Sequence, residues 1–139
     1  MTFDIISKKK ILKAISIKKP IDIFEIVKMY AKSRQENFLV MTLNAAHSVI
    51  GIHIATIGIV NQTIVHPREV FIHAIKDNAC AVAFAHNHPS GQLEMSQEDE
   101  EITERLVKAG IILGFHILDH IIFNEETFFS MRENGFTFN

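Results

Sequence analysis

One cysteine, Cys80, is the only thiol that the 139-residue chain carries. It forbids an intramolecular disulfide and removes every zinc site built on paired cysteines, so a bound metal has to rest on histidine and carboxylate. Long apolar runs are missing too. The two most hydrophobic stretches, "VIGIHIATIGIV" and "IILGFHILDHIIF", are too short and too often broken by His or Asp to span a bilayer. The opening "MTFDIISKKK" lacks the order of charge, apolar core and cleavage site of a secretory leader, which makes the cytoplasm the expected compartment. Internal repeats and low-complexity tracts are also absent from the sequence.

The composition, 47% hydrophobic and 22% charged, is that of one folded domain able to bury a core without staples. A net charge of -2 hides an asymmetry: residues 8–34 carry nine Lys/Arg against Asp22 and Glu25, while residues 36–139 carry five against thirteen Asp/Glu. The basic end reads as the solvated face of a helix, with Lys8, Lys9, Lys10 and Lys13 outside and Ile11, Leu12 and Ile15 inside, or as a contact for an anionic partner.

Periodicity and punctuation set out the elements. Ser7 caps a first helix running to about Ile17, and Pro20 opens a second, "PIDIFEIVKMYAKSR", with Ile23, Ile26, Val27 and Tyr30 on one face. "ENFLVMTLN" and "SVIGIHIATIG" read as a β-hairpin turning at Asn44 to His47. Pro67 opens "PREVFIHAIKDN", with Val70, Phe71, Ala74 and Ile75 facing inward. The run "ACAVAFAH" then fits a strand covered on both faces. Ser96 starts a helix that Gly110 closes, "IILGFHILD" and "HIIFN" finish the sheet, and "EETFFSMREN" adds a helical turn. Strands alternating with helices, plus the early hairpin, predict an α/β single domain with a mixed β-sheet flanked by helices.

Within this frame, "AHNHPSGQLEMSQED" sets His86 and His88 two apart and Asp99 eleven residues further on. A shuffled chain of this composition would hold about 0.02 such matches. Residues two apart on a strand point the same way, about 6.6 Å apart, so the histidines can converge on one ion. With Ser96 as N-cap, Asp99 is the third helical residue, where the positive end of the helix dipole favours an ionised carboxylate. Pro89, Ser90 and Gly91 turn the chain back between strand and helix. Two His and one Asp leave a fourth tetrahedral position for water, the arrangement of a catalytic rather than a structural zinc.

These residues resemble the RadC-like branch of the JAB/MPN metallopeptidase family, whose motif is an upstream Glu, then H-x-H-P, a Ser eight residues on and an Asp three further. His86, His88, Pro89, Ser96 and Asp99 match at every spacing, and "HNHPSG" is the RadC-like form. "HPREVF", "T-x-x-L-x-x-A-G" from Thr103 to Gly110, "LDHII" and "FFSMRENG" extend the likeness over about Pro20 to Gly135. The resemblance implies the JAB/MPN, cytidine-deaminase-like architecture, with residues 1–19 a basic N-terminal helix or extension and 20–139 the metal-binding domain. It further implies Zn2+ held by His86, His88 and Asp99, with Glu36 as general base and Ser96 donating to the oxyanion. The reaction implied is hydrolysis of a peptide or isopeptide bond in a protein or peptide substrate.

Departures from the family pattern are local. "QLEM" replaces the prolines common between "HPSG" and the Ser, giving a less rigid loop. Asn44 stands for a usual Asp and Ile59 for a usual Thr, changes expected on the substrate face. Residues 1–34 are too few for the helix-hairpin-helix DNA-binding region of long RadC-like proteins. The alternative function, from another class, is a non-catalytic DNA-repair or recombination module with a structural zinc; a nucleobase deaminase would need H-x-E with P-C-x-x-C. His53, His73 and His116 read as core or boundary residues, His120 beside Asp119 as core or as support for a ligand, and Arg68 at a helix start as a residue whose partner is an acidic side chain or a substrate carboxylate.

Overall fold

The computed structural model describes residues 15–58, 60 and 64–138. The Ser7-capped basic helix expected near the N-terminus and the Ile59 position lie largely or wholly outside the described residues. Chain order is α1 (Pro20–Val27), a 3-10 turn (Lys28–Lys32), β1 (Asn37–Leu43), β2 (Val49–Ile57), α2 (Pro67–Lys76), β3 (Ala81–Asn87), α3 (Gln97–Leu113), β4 (His116–Phe123) and β5 (Phe128–Ser130). The five strands form one mixed sheet in the order β2-β1-β3-β4-β5, with only β3 and β4 parallel. No helix among the described residues is long and apolar enough to cross a membrane.

Side-chain alternation divides the sheet into two buried faces. Phe38, Val40, Val82 and Phe84 pack with Val70, Phe71 and Ala74 of α2 and Ile102, Leu106 and Val107 of α3. Leu39, Met41, Leu43 and the small Ala81, Ala83 and Ala85 pack on the other side with Ile23, Phe24 and Val27 of α1. β3 is therefore buried at every residue, as its unbroken apolar run predicts. The hairpin turn is closed by Asn44, whose side-chain oxygen accepts from the N–H groups of Ala46 and Ser48, both at 2.9 Å. That turn lies at the end of the sheet opposite His86, away from the H-x-H pair.

Four expectations need correction. Ile75 is 60% exposed; it lies about 90° from the centre of the arc formed by Val70, Phe71 and Ala74 and falls off the buried stripe. Gly110 does not end its helix, which continues through Ile111, Ile112 and Leu113 to Gly114, left-handed at φ 86°. A Cβ on Gly110 would lie 2.7 Å from Ile117 Cδ1 and 3.3 Å from Phe71 Cζ. Gly110 is thus a point of close helix-to-sheet approach, with the αL cap left to Gly114. "HILD" and "HIIF" form one strand, β4, rather than two. "TFFS" supplies β5 instead of a helical turn, because Asn124 accepts from the N–H groups of Glu126 and Thr127 and turns the chain back along β4.

Gly110→Val should lower unfolding free energy by about 2 kcal/mol, through overpacking against Ile117 and Phe71. Gly114→Ala should cost about 1 kcal/mol, through left-handed strain alone. Urea unfolding of both variants checks the two roles; a neutral Gly110→Val contradicts the close packing.

Candidate metal centre

His86 is the sixth residue of β3 and points, like Phe84, towards the face covered by α2 and α3. His88, two residues on, turns the same way just beyond the strand. Ser96 caps α3: its hydroxyl accepts from Asp99 N–H at 3.0 Å, while Asp99 Oδ2 accepts from Ser96 N–H at 2.9 Å. That reciprocal box aims the Asp99 carboxylate at the end of β3. His86 Nε2 lies 2.9 Å from His88 Nε2 and 3.2 Å from Asp99 Oδ1, and His88 Nε2 lies 3.6 Å from Asp99 Oδ2. A tetrahedral ion with bonds of about 2.0–2.1 Å would place its ligand atoms roughly 3.3 Å apart. The three edges fit.

The hydrogen bonds around the cluster fix which nitrogens carry protons. Gln92 O can only accept, so His88 Nδ1 donates to it, at 2.6 Å. Thr103 donates its one hydrogen to Asp99 O at 2.7 Å, leaving its lone pair for His120 Nδ1–H at 2.6 Å. Burial first, then the charge of His86, holds the fully buried His120 well below the usual histidine pKa and keeps it neutral. Its bare Nε2 therefore accepts from His86 Nδ1–H at 2.7 Å. Both His86 and His88, when neutral, then present unprotonated Nε2 atoms to each other and to Asp99.

Burial would push the Asp99 carboxyl up, but the hydrogen bond and charge of His86 and the Ser96 N–H outweigh it and hold the group well below the usual carboxylate range. When both histidines are neutral, their two bare Nε2 atoms and the carboxylate stand at the separations of ligands that share one cation. The donor set therefore fits a divalent metal of the zinc kind.

The remaining expected site residues lie around this cluster. The β1–β3 register pairs Phe38 with His86, and its continuation sets Glu36 opposite His88. Glu36 lines a cavity of ≈ 310 Å³ with Arg34, Gln35, Gly58 and Pro89, and its Oε2 accepts from Val60 N–H at 2.8 Å. Glu36 is outside the donor cluster, whose atoms lie within 4.8 Å of one another. Ser96 is at the cluster through its cap on Asp99. The "QLEM" loop contributes a backbone carbonyl, that of Gln92, to His88, a contact that does not depend on its side chains.

Asn87 and Thr103 were not assigned site roles from sequence. The Asn87 side-chain oxygen accepts from Asn37 N–H at 2.7 Å and its amide donates to Gln35 O at 3.0 Å, gripping the backbone on both sides of Glu36. A buried amide between two candidate ligands, in an otherwise apolar strand, is the signal that could have found it. His120 takes the supporting role that had been one of its two readings, although Asp119 is not its side-chain partner: Asp119 binds Ser130 Oγ and the Arg132 N–H. His53 is buried against Asp77 at 2.7 Å and stacks on His73, whereas His116 is exposed and stacks on His47. Arg68 reaches the His66 ring at 3.4 Å.

An α/β domain with three converging donors at the end of a central strand defines a candidate metal-binding domain. Residues 17–136 match the RadC-like JAB domain, and the chain belongs to that family. A UPF0758 protein of Methanospirillum hungatei is 47% identical over 114 residues, covering 82% of this chain and 50% of the relative. UPF0758 proteins of Alkaliphilus metalliredigens and Rubrobacter xylanophilus are 47% and 46% identical, over 73% of this chain and 44% of each relative. The chain thus spans about half the length of these curated relatives.

Thr103→Val removes both the acceptor for His120 and the donor to Asp99 O, and should weaken metal binding by 10- to 100-fold, the usual scale for groups that orient ligands. Thr103→Ser should bind as wild type. Competition with a chromophoric chelator reads both, and equal affinity in Thr103→Val would disprove the relay.

Proposed function

We propose that the domain is a zinc-dependent metallopeptidase that hydrolyses a peptide or isopeptide amide in a cytoplasmic protein or peptide substrate. The observation that carries this reading is the convergence of three donors, two of them imidazoles whose Nδ1 atoms are already engaged, at a site where Glu36 stands opposite His88. His86, His88 and Asp99 would hold the ion, which supplies Lewis acidity at its open position.

Glu36 has one carboxylate oxygen held by Val60 N–H, which fixes the group while the other oxygen stays available. It takes the proton of the attacking water and returns it to the leaving amine. Ser96 Oγ spends a lone pair on Asp99 N–H, so its hydrogen remains free to donate to the oxyanion that develops at the scissile carbonyl. Asn87 keeps the Glu36 backbone in register with the histidines through its two contacts.

Glu36→Gln keeps shape and loses proton transfer. Zinc content should stay at the wild-type level while turnover of a peptide and isopeptide library falls by about 10²-fold or more. Ser96→Ala should lower turnover and also cost about 1 kcal/mol of stability for the lost cap. Zinc analysis and single-turnover assays check both; an unchanged rate in Glu36→Gln rejects the mechanism. A zinc-loaded wild type that cleaves nothing in a broad library favours the non-catalytic binding module.

A further inference from the structure

At the other end of the sheet from His86, about 16 Å along β3, a cavity of ≈ 210 Å³ opens between the start of α1, the hairpin turn and the start of β4. Lys18, Lys19, His47, His116 and Arg132 line it. Its floor is apolar, formed by Ile17, Ile23 and Leu118. The volume equals about seven waters, room for a small ligand.

Among these groups Arg132 is anchored and the two histidines are stacked. Arg132 donates through Nε to Leu118 O and through Nη2 to Ile117 O, and its guanidinium lies 4.8 Å over the Phe138 ring. His47 and His116 stack with centroids 6.0 Å apart and planes within 10°. His47 has φ 62°, in the left-handed region that Asn, Asp and His adopt more readily than most side chains. One carboxylate, Asp119, is part of the lining and a second, Asp22, is near; both are engaged. Asp22 Oδ2 accepts from the backbone N–H groups of Lys18 and Lys19, and the buried Asp119 is bonded by Ser130 and by the N–H groups of His120 and Arg132. Burial first, then the charges of Arg132 and His47, lowers the pKa of His116, as expected where like charges crowd without an anion.

We infer that this cavity is a second ligand site, which binds a small phosphate-type oxyanion, free or as a monoester with a short apolar body. Two exposed lysines at the rim, an anchored guanidinium and two imidazoles match several oxygens on one centre, whereas a lone carboxylate would leave most of them unmatched. The inference is independent of amide hydrolysis at the metal centre.

The test is titration of the zinc-loaded 139-residue chain with inorganic phosphate and with glycerol phosphate, followed by NMR of the histidine rings. Saturable shifts at His47 and His116 are expected, with His86 and His88 unmoved. Tighter binding of the monoester assigns the apolar floor to the ligand's body, and equal binding assigns the site to free phosphate. His47→Asn, compatible with the left-handed turn, combined with His116→Gln should weaken binding about tenfold. Lys18→Gln with Lys19→Gln should do the same if the first pair folds poorly. Chloride at matched ionic strength reproducing the shifts, or variants that bind phosphate as wild type, would overturn the site.

Discussion

The convergence of three electron-rich side chains is the constraint around which this end of the molecule is arranged. His86 Nε2, His88 Nε2 and the Asp99 carboxylate meet at 2.9 to 3.6 Å. The Nδ1 protons of both histidines are spent elsewhere, on Gln92 O and through the chain from His86 to His120, Thr103 and Asp99 O. Such a contact persists in a folded chain when the fold holds it and a cation neutralises it. The fold supplies the first condition, and the donor chemistry specifies the second.

Three features of the sheet bring the donors together. The alternation of β3, with Val82, Phe84 and His86 on one face and Ala81, Ala83 and Ala85 on the other, sends the histidine towards α3. Parallel pairing with β4 sets His120 beside Phe84, within reach of both His86 and Thr103. Antiparallel pairing with β1 carries Glu36 to the same end, where Asn87 fixes the adjoining backbone. The opposite end, where the hairpin turn meets the start of β4, gathers cationic groups instead. A single strand thus separates the candidate cation site from the proposed anion site.

Much of this was legible before any coordinates. The H-x-H pair, the capping box and the mixed sheet follow from local rules: period two on a strand, a Ser three residues before an acid, a hairpin followed by alternating strands and helices. What stayed hidden depends on long-range geometry. The pairing of Thr103 with His120 joins residues 17 apart, and that of Asn87 with Asn37 joins residues 50 apart. Gly110 was misread for a related reason: a glycine near the end of a helical pattern looks like a cap until Ile117 and Phe71 are seen pressing against it. At "TFFS" the local pattern gave way to the turn at Asn124, which placed the segment beside β4.

The most direct measurement of the central claim is a crystal structure of the zinc-loaded protein with anomalous scattering recorded at the zinc edge. The account predicts one strong peak bonded to His86 Nε2, His88 Nε2 and an Asp99 oxygen at about 2.0–2.2 Å, with the His120 ring still on His86 Nδ1. A zinc ion bound through other residues, or a zinc-saturated crystal in which these three side chains carry no metal, would contradict it.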